Sequence, residues 1–314
     1  MRYLKDLTEG ARVGDIYLVK HRTSAVTKNG KNYWNVTLQD KTATLDAKVW
    51  DPNSAGIAEF DDKDYVEVVG DVTSFNGALQ INIKRARVAS EGEYDPADYL
   101  PVSGKDIEAM YSELLNMVAR TSNIYLKQLL EALLIEDKEF VQKFKFASAA
   151  KTVHHAFVGG LVEHTLSVAQ NCEYFADHYP KLNRDLLVCA AICHDIGKTR
   201  EITAFPENDY SDEGNLLGHI IIGCEMIGEK INKIQGFPPH IANELKHCIL
   251  SHHGELEFGS PKKPALLEAV ALSFADNLDA KMETFEEILN ASLEPTAWQG
   301  FNRLLDSNIR GTIM

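Results

Sequence analysis

The apolar residues of this chain change their period near residue 90, and that change fixes the architecture before any motif is read. Up to that point apolar and polar positions alternate in short runs: Asp15 to Val19, Tyr33 to Leu38, Thr44 to Trp50, Tyr65 to Val69 and Ala78 to Ile83. The turn pairs Asn29-Gly30 and Asn76-Gly77 lie between runs. A period of two belongs to strands with one buried face. Five such runs predict a small all-β barrel over residues 1–90. Gly92, Pro96, Pro101 and Gly104 break the pattern and predict a linker over 91–104. Beyond it the spacing is helical, with helices expected over 105–119, 122–134, 137–145, 160–178, 183–195, 216–234, 238–251 and 264–290. The reading is therefore an all-β domain, an all-α domain over 105–290 whose first helix is capped by Ser103 with Asp106, and a tail over 291–314.

Charge divides along the same line. The chain carries 32 basic and 46 acidic side chains, a formal net charge of −14. Residues 1–90 are near balance at +1, so the acidity belongs to the helical part. A binder held to nucleic acid by bulk electrostatics should be basic, which counts against that class of function. No apolar run approaches the roughly 20 residues of a membrane helix, and the N-terminus lacks the apolar core of a signal peptide. A cytoplasmic protein with no membrane contact is expected. The five cysteines, odd in number and without a C-x-x-C pair, predict reduced, buried thiols.

The chemistry-bearing residues lie in the helical part: His164, then His194-Asp195, His219, His252-His253 and Asp276. Five imidazoles and two carboxylates near helix ends can converge if the helices bundle, and bundle interiors are where facing helices build metal sites. Lys198, three residues after Asp195, shares its helical face. Gly197 is expected to end the helix before it. Asp279, one turn after Asp276, can orient a ligand histidine or stand solvated, and Glu163 reads as a helix-surface acid. One of His154 and His155 is expected to touch substrate or a metal-bound water. Mixed imidazole and carboxylate ligands suit Mn, Fe, Co, Ni or Zn over Mg or Ca.

This order of residues resembles the HD-domain superfamily of metal-dependent phosphohydrolases, and the third His with the His-His pair resembles its two-metal branch. The resemblance implies a first ion on His164, His194, Asp195 and Asp276, with Asp195 bridging to a second on His219, His252 and His253. Asp195 and Lys198 become catalytic residues, Lys198 on the scissile phosphate, with His155 beside them. The first ninety residues resemble an OB-fold, which holds single strands by stacking bases on aromatics. By strand parity Trp34, Val36 and Leu38 face inward, leaving Tyr33, Lys48 and Trp50 as candidate nucleic-acid contacts.

An OB-fold followed by a two-metal HD domain, with Ile192-Cys-His-Asp-Ile-Gly-Lys198, Ser251-His-His-Gly254, Glu257-Phe-Gly-Ser-Pro261 and Ala275-Asp-Asn-Leu-Asp-Ala-Lys281, resembles the YhaM family of bacterial 3′-to-5′ exoribonucleases. Membership implies a manganese- or cobalt-dependent enzyme acting on single-stranded RNA and to some extent single-stranded DNA, with Lys262 and Lys263 on the incoming backbone. Trp298 and Phe301 in the tail suggest docking on a surface, such as that of a second subunit. Three other readings compete. A cyclic-dinucleotide phosphodiesterase would carry Gly-Tyr-Pro after its His-His pair, where this chain has Gly254-Glu255-Leu256. A simpler nucleotide phosphatase needs neither barrel nor extra histidines, and a non-catalytic RNA-binding protein would not keep all seven ligands intact.

Overall fold

A computed structural model describes residues 2–27, 29–75, 77–95, 98–100, 102–151, 155–292, 294–303 and 305–313. His154 and Asn76 lie outside the described residues. The chain divides into two compact units, Met1–Val102 and Ser103–Met314.

The first unit is a closed five-stranded barrel, β1 (Arg12–Val26), β2 (Asn32–Gln39), β3 (Thr44–Val49), β4 (Tyr65–Phe75) and β5 (Ala78–Val88), in spatial order β1-β2-β3-β5-β4. β1 is long enough to serve two neighbours. Its first half pairs with β4 and its second with β2, and the register shifts between Val19 and His21 where the strand bends from one partner to the other. Parallel pairing of β3 with β5, Ala47 opposite Ile81, closes the barrel. The parity expected for β2 and β3 holds, since Val36, Leu38, Ala47 and Val49 are buried in the barrel core. Trp34 packs on that core from a partly buried position, edge-on to Phe60. The described residues that follow the barrel are no free linker. Tyr99 and Leu100 are buried, and Lys41 N donates to the Asp98 carbonyl at 2.9 Å.

The second unit is helical: α1 (Ile107–Ala119), α2 (Ile124–Glu131) with a π turn over Ala132–Glu136, α3 (Lys138–Phe146), α4 (Gly160–His178), α5 (Arg184–Cys193), α6 (Lys198–Glu201), α7 (Asp212–Leu217), α8 (His219–Ile231), α9 (Pro239–Leu250) and α10 (Leu267–Ala291). α5 is buried over Leu186–Cys193, the mark of a helix surrounded by others. Three expectations about helix ends are corrected. Asp106, not Ser103, caps α1, accepting from Glu108 N and Ala109 N, while Ser103 Oγ donates to Glu163. The helix expected over 216–234 is broken at Gly218, whose φ of 75° is left-handed and ends α7 before α8 begins. Gly197 does not stop a helix by positive φ. Its φ is −61°, and its need for glycine comes from contact: a Cβ there would lie 2.0 Å from the His219 carbonyl oxygen. In the tail, β6 (Phe301–Asn302) pairs with β7 (Ser307–Asn308), leaving Trp298 and Phe301 exposed.

Candidate metal centre and nucleic-acid face

Five elements of the helical unit each deliver part of one cluster. His164 comes from the first turns of α4, His194 and Asp195 from the turn that ends α5, and His219 from the first position of α8. His252 and His253 follow α9, and Asp276 lies within α10. His164, His194, Asp195 and His252 are buried, and His219, His253 and Asp276 partly so. The structure thus brings together all seven residues expected to hold metal.

Asp195 stands between two sets of imidazoles. Its Oδ2 is 3.3 Å from His164 Nε2 and 3.4 Å from His194 Nε2, while Asp276 Oδ1 lies 3.2 Å from His164 Nε2. Its Oδ1 faces the other way, 3.4 Å from His219 Nε2 and 3.7 Å from His252 Nε2. Ligand atoms about 2.1 Å from one ion lie roughly 3.0–3.4 Å apart, so the first set has the spacing of a coordination shell. Three atoms supply a sharper test of fit. Asp195 Oδ1, His219 Nε2 and His252 Nε2 are buried and have no hydrogen-bond partner. Leaving such groups unpaired costs about 1–3 kcal/mol each, and three converging orphans call for a cation.

Every one of the five imidazoles presents Nε2 to the centre because its Nδ1 is held from behind. His194 Nδ1 lies 2.7 Å from the Ala191 carbonyl, His252 Nδ1 2.7 Å from that of Ile249 and His253 Nδ1 2.8 Å from that of Phe258. Carboxylates do the same for the other two. Asp279 Oδ2 is 2.6 Å from His164 Nδ1, and Glu201 Oε1 is 3.0 Å from His219 Nδ1 and also accepts from the His219 backbone N–H. An acceptor behind each ring fixes the tautomer and leaves the Nε2 lone pair for an ion. Glu201 is the functional residue the sequence reading missed; it reaches His219 across 18 positions, and no spacing rule marks it.

The electrostatics fit the same reading. Burial alone would raise the carboxyls of Asp195 and Asp276, but the Lys198 ammonium with His194 and His164 outweighs it at Asp195, and His164 and His194 outweigh it at Asp276, so both stay well below the usual carboxylate range. Burial, then the neighbouring His253 and His194, holds His252 well below an ordinary imidazole, so it stands neutral. Lys198 Nζ sits 2.6 Å from Asp195 Oδ2, on the face its spacing predicts. His155 is buried, at 2 % exposure, with Nε2 3.1 Å from Asp279 Oδ2. Its ring is thus held inside the helical unit by Asp279, while His154, the other candidate for a contact with substrate or a metal-bound water, lies outside the described residues. Glu163, expected at the surface, is also buried, and its Oε1 pairs with Lys105 at 2.8 Å.

On the barrel, Tyr33 and Trp50 stack on the outer face with ring centroids 5.2 Å apart. Trp50 is exposed, its Nε1 donating to Asn82 Oδ1 at 3.0 Å, and Lys48 Nζ donates to Asn35 Oδ1 and lies 5.8 Å from the Tyr33 ring. The three expected contacts therefore form one polar-rimmed aromatic ledge. Four other bases on the barrel are paired with acids: Arg22 with Asp61, Lys41 with Asp98, Lys84 with Asp71, and Arg87 with Glu67 and Glu93. On the helical unit Lys262 is exposed, whereas Lys263 Nζ is paired with Glu255 Oε2 at 2.6 Å. All five cysteines are free thiols, and among the described residues no helix is long and apolar enough to cross a membrane.

Comparison with known proteins places both units. Residues 161–281 match the HD domain model, and residues 5–89 match an OB-fold nucleic acid binding domain model. The chain is 36% identical over 279 residues to the 3′-5′ exoribonuclease YhaM of Geobacillus sp. (strain WCH70), covering 88% of this chain and 84% of the relative. Among solved structures, the HD domain of the L. monocytogenes phosphodiesterase PgpH aligns at 20% identity over 51% of this chain and 77% of its own, with a TM-score of 0.31. A domain of replication protein A from Methanococcus maripaludis aligns at 17% identity over 28% of this chain and 94% of its own, with a TM-score of 0.25.

Proposed function

The chain belongs to the YhaM family of 3′-5′ exoribonucleases, and from that membership we propose that it shortens single-stranded RNA from its 3′ end with two divalent ions, which Asp195 and the imidazoles on either side of it would hold. The chain is a metal-dependent 3′-5′ exoribonuclease. The observation that carries the two-ion reading is the opposed pair of oxygens on Asp195, one toward His164 and His194 and the other toward His219 and His252. His164, His194 and Asp276 would complete one set and His219, His252 and His253 the other, with manganese or cobalt as the expected metal and iron, nickel or zinc also compatible. Bound there, the ions would supply charge for the phosphoryl oxygens and a nucleophile at neutral pH.

The protein's own groups do the rest. Lys198 holds Asp195 through one ammonium hydrogen and keeps its others for a phosphate oxygen of the scissile bond. Asp279 and Glu201 keep His164 and His219 in the tautomer that leaves Nε2 unprotonated. On the barrel, Tyr33 and Trp50 offer faces on which any base can stack, with Lys48 beside them for a phosphate. Such contacts accept single-stranded DNA as well as RNA. Lys262 is the better of the two loop lysines for the backbone, because Lys263 is already paired.

The test is Asp195→Asn, offered 5′-labelled single-stranded RNA with Mn²⁺, with cyclic dinucleotides and mononucleotides as parallel substrates for the parent protein. A ladder of 3′-shortened RNA from the parent, its loss in the variant and an unchanged gel shift are expected. Metal-dependent cutting by Asp195→Asn, or turnover confined to cyclic dinucleotides or mononucleotides, would overturn the proposal.

A further inference from the structure

Asp279 joins the metal centre to a second group of ionisable side chains that the proposed chemistry leaves unused. His155, Glu163 and Glu283 each offer a ligand atom, and the three atoms lie within 4.8 Å of one another. Glu163 precedes His164 on α4, and Glu283 lies one turn beyond Asp279 on α10. His155 Nε2 is committed to Asp279, so the nitrogen left for the trio is Nδ1, which is buried and has no hydrogen-bond partner. An unpaired buried nitrogen among carboxylates is costly unless something fills the place.

The local charge points the same way. Burial raises the Glu283 carboxyl, and Glu163, Glu287 and Glu286 push it further against the pull of His155. Burial raises Glu287 as well. Against these acids stands Lys105, whose Nζ reaches Glu163 Oε1 at 2.8 Å from a side chain that is 66% exposed. Ser103 Oγ donates to Glu163 Oε2 at 2.5 Å. A long, exposed lysine is a replaceable counter-ion.

We propose that His155 Nδ1, Glu163 and Glu283 form a third divalent-cation site, separate from the ions on Asp195, in which the metal displaces the Lys105 ammonium. One imidazole with two carboxylates suits a borderline cation such as Mn²⁺ or Zn²⁺ over Mg²⁺, which prefers oxygen alone. An ion there ties α4 to α10 beside the bond from His164 to Asp279.

Equilibrium dialysis of metal-depleted full-length protein against Mn²⁺, with bound metal counted per chain, tests the site. The parent is expected to hold one more ion than Glu283→Gln, and Lys105→Gln is expected to bind that last ion several-fold more tightly. Circular dichroism and a melting curve establish that both variants are folded. Equal counts in the parent and Glu283→Gln, or an unchanged affinity in Lys105→Gln, would overturn the proposal. Because the readout is a difference between parent and variant, it stands apart from the total expected of the centre around Asp195.

Discussion

The His219 imidazole owes its orientation to one acid. Glu201 Oε1 accepts from both the ring Nδ1 and the backbone N–H, so the isosteric change Glu201→Gln removes the charge and adds a donor where only acceptance is wanted. Loss of a ligand's supporting acid costs on the order of 10–100-fold in metal affinity, and that drop is expected on the His219 side of the centre, read by metal titration. Asp279→Asn should act in the same way on the His164 side. That the seven residues belong together was legible in the sequence, because their order and their adjacency, His-Asp and His-His, are unusual enough to identify as a set. Glu201 was not legible because its partner is fixed by the packing of α6 against α8. Glu163 was misplaced for a related reason: sequence gives no measure of which side of α4 packs on its neighbours, and here that side carries Glu163 to Ser103 and Lys105.

Helices and strands were read well in their interiors and less well at their ends. β1, β4 and β5 each run several residues past the alternating segment, because barrel strands bend from one neighbour to the next and the alternation blurs where they do. The cap of α1 sits one turn later than Ser103-Asp106 suggested. Asp106→Ala is accordingly expected to lower stability by about 1 kcal/mol, whereas Ser103→Ala leaves the cap intact, a contrast that two denaturation curves would show. α6 carries Lys198 and Glu201 in a single turn and touches α8 at Gly197. Gly197→Ala places a methyl 2.0 Å from the His219 carbonyl oxygen, so α8 must give way. Overpacking of this kind costs about 1–3 kcal/mol, and the variant is expected to lose stability and metal together in melting and metal-counting measurements.

Across the whole molecule the net charge is −14, and Arg22, Lys41, Lys84 and Arg87 of the barrel are held by carboxylates, which reduces the basic surface open to phosphate. Each phosphate neutralised on a single strand adds about −0.7 to the slope of log affinity against log salt, so a slope shallower than about −2 is expected for RNA binding. A steep slope in a salt series would mean that the strand rests on many ionic contacts. Chelation is expected to lower the melting temperature, since a ligand that binds only the folded form at a hundredfold over its Kd adds about 2.7 kcal/mol. That dependence reaches further than catalysis. The residues from His164 to Asp276 come from five separate elements, so whatever binds them clasps together most of the helical unit. Metal-stripped protein is therefore expected to be cut faster by an added protease than loaded protein, because the same loss that stops the chemistry unfastens the helices, and limited digestion with and without a chelator would show it.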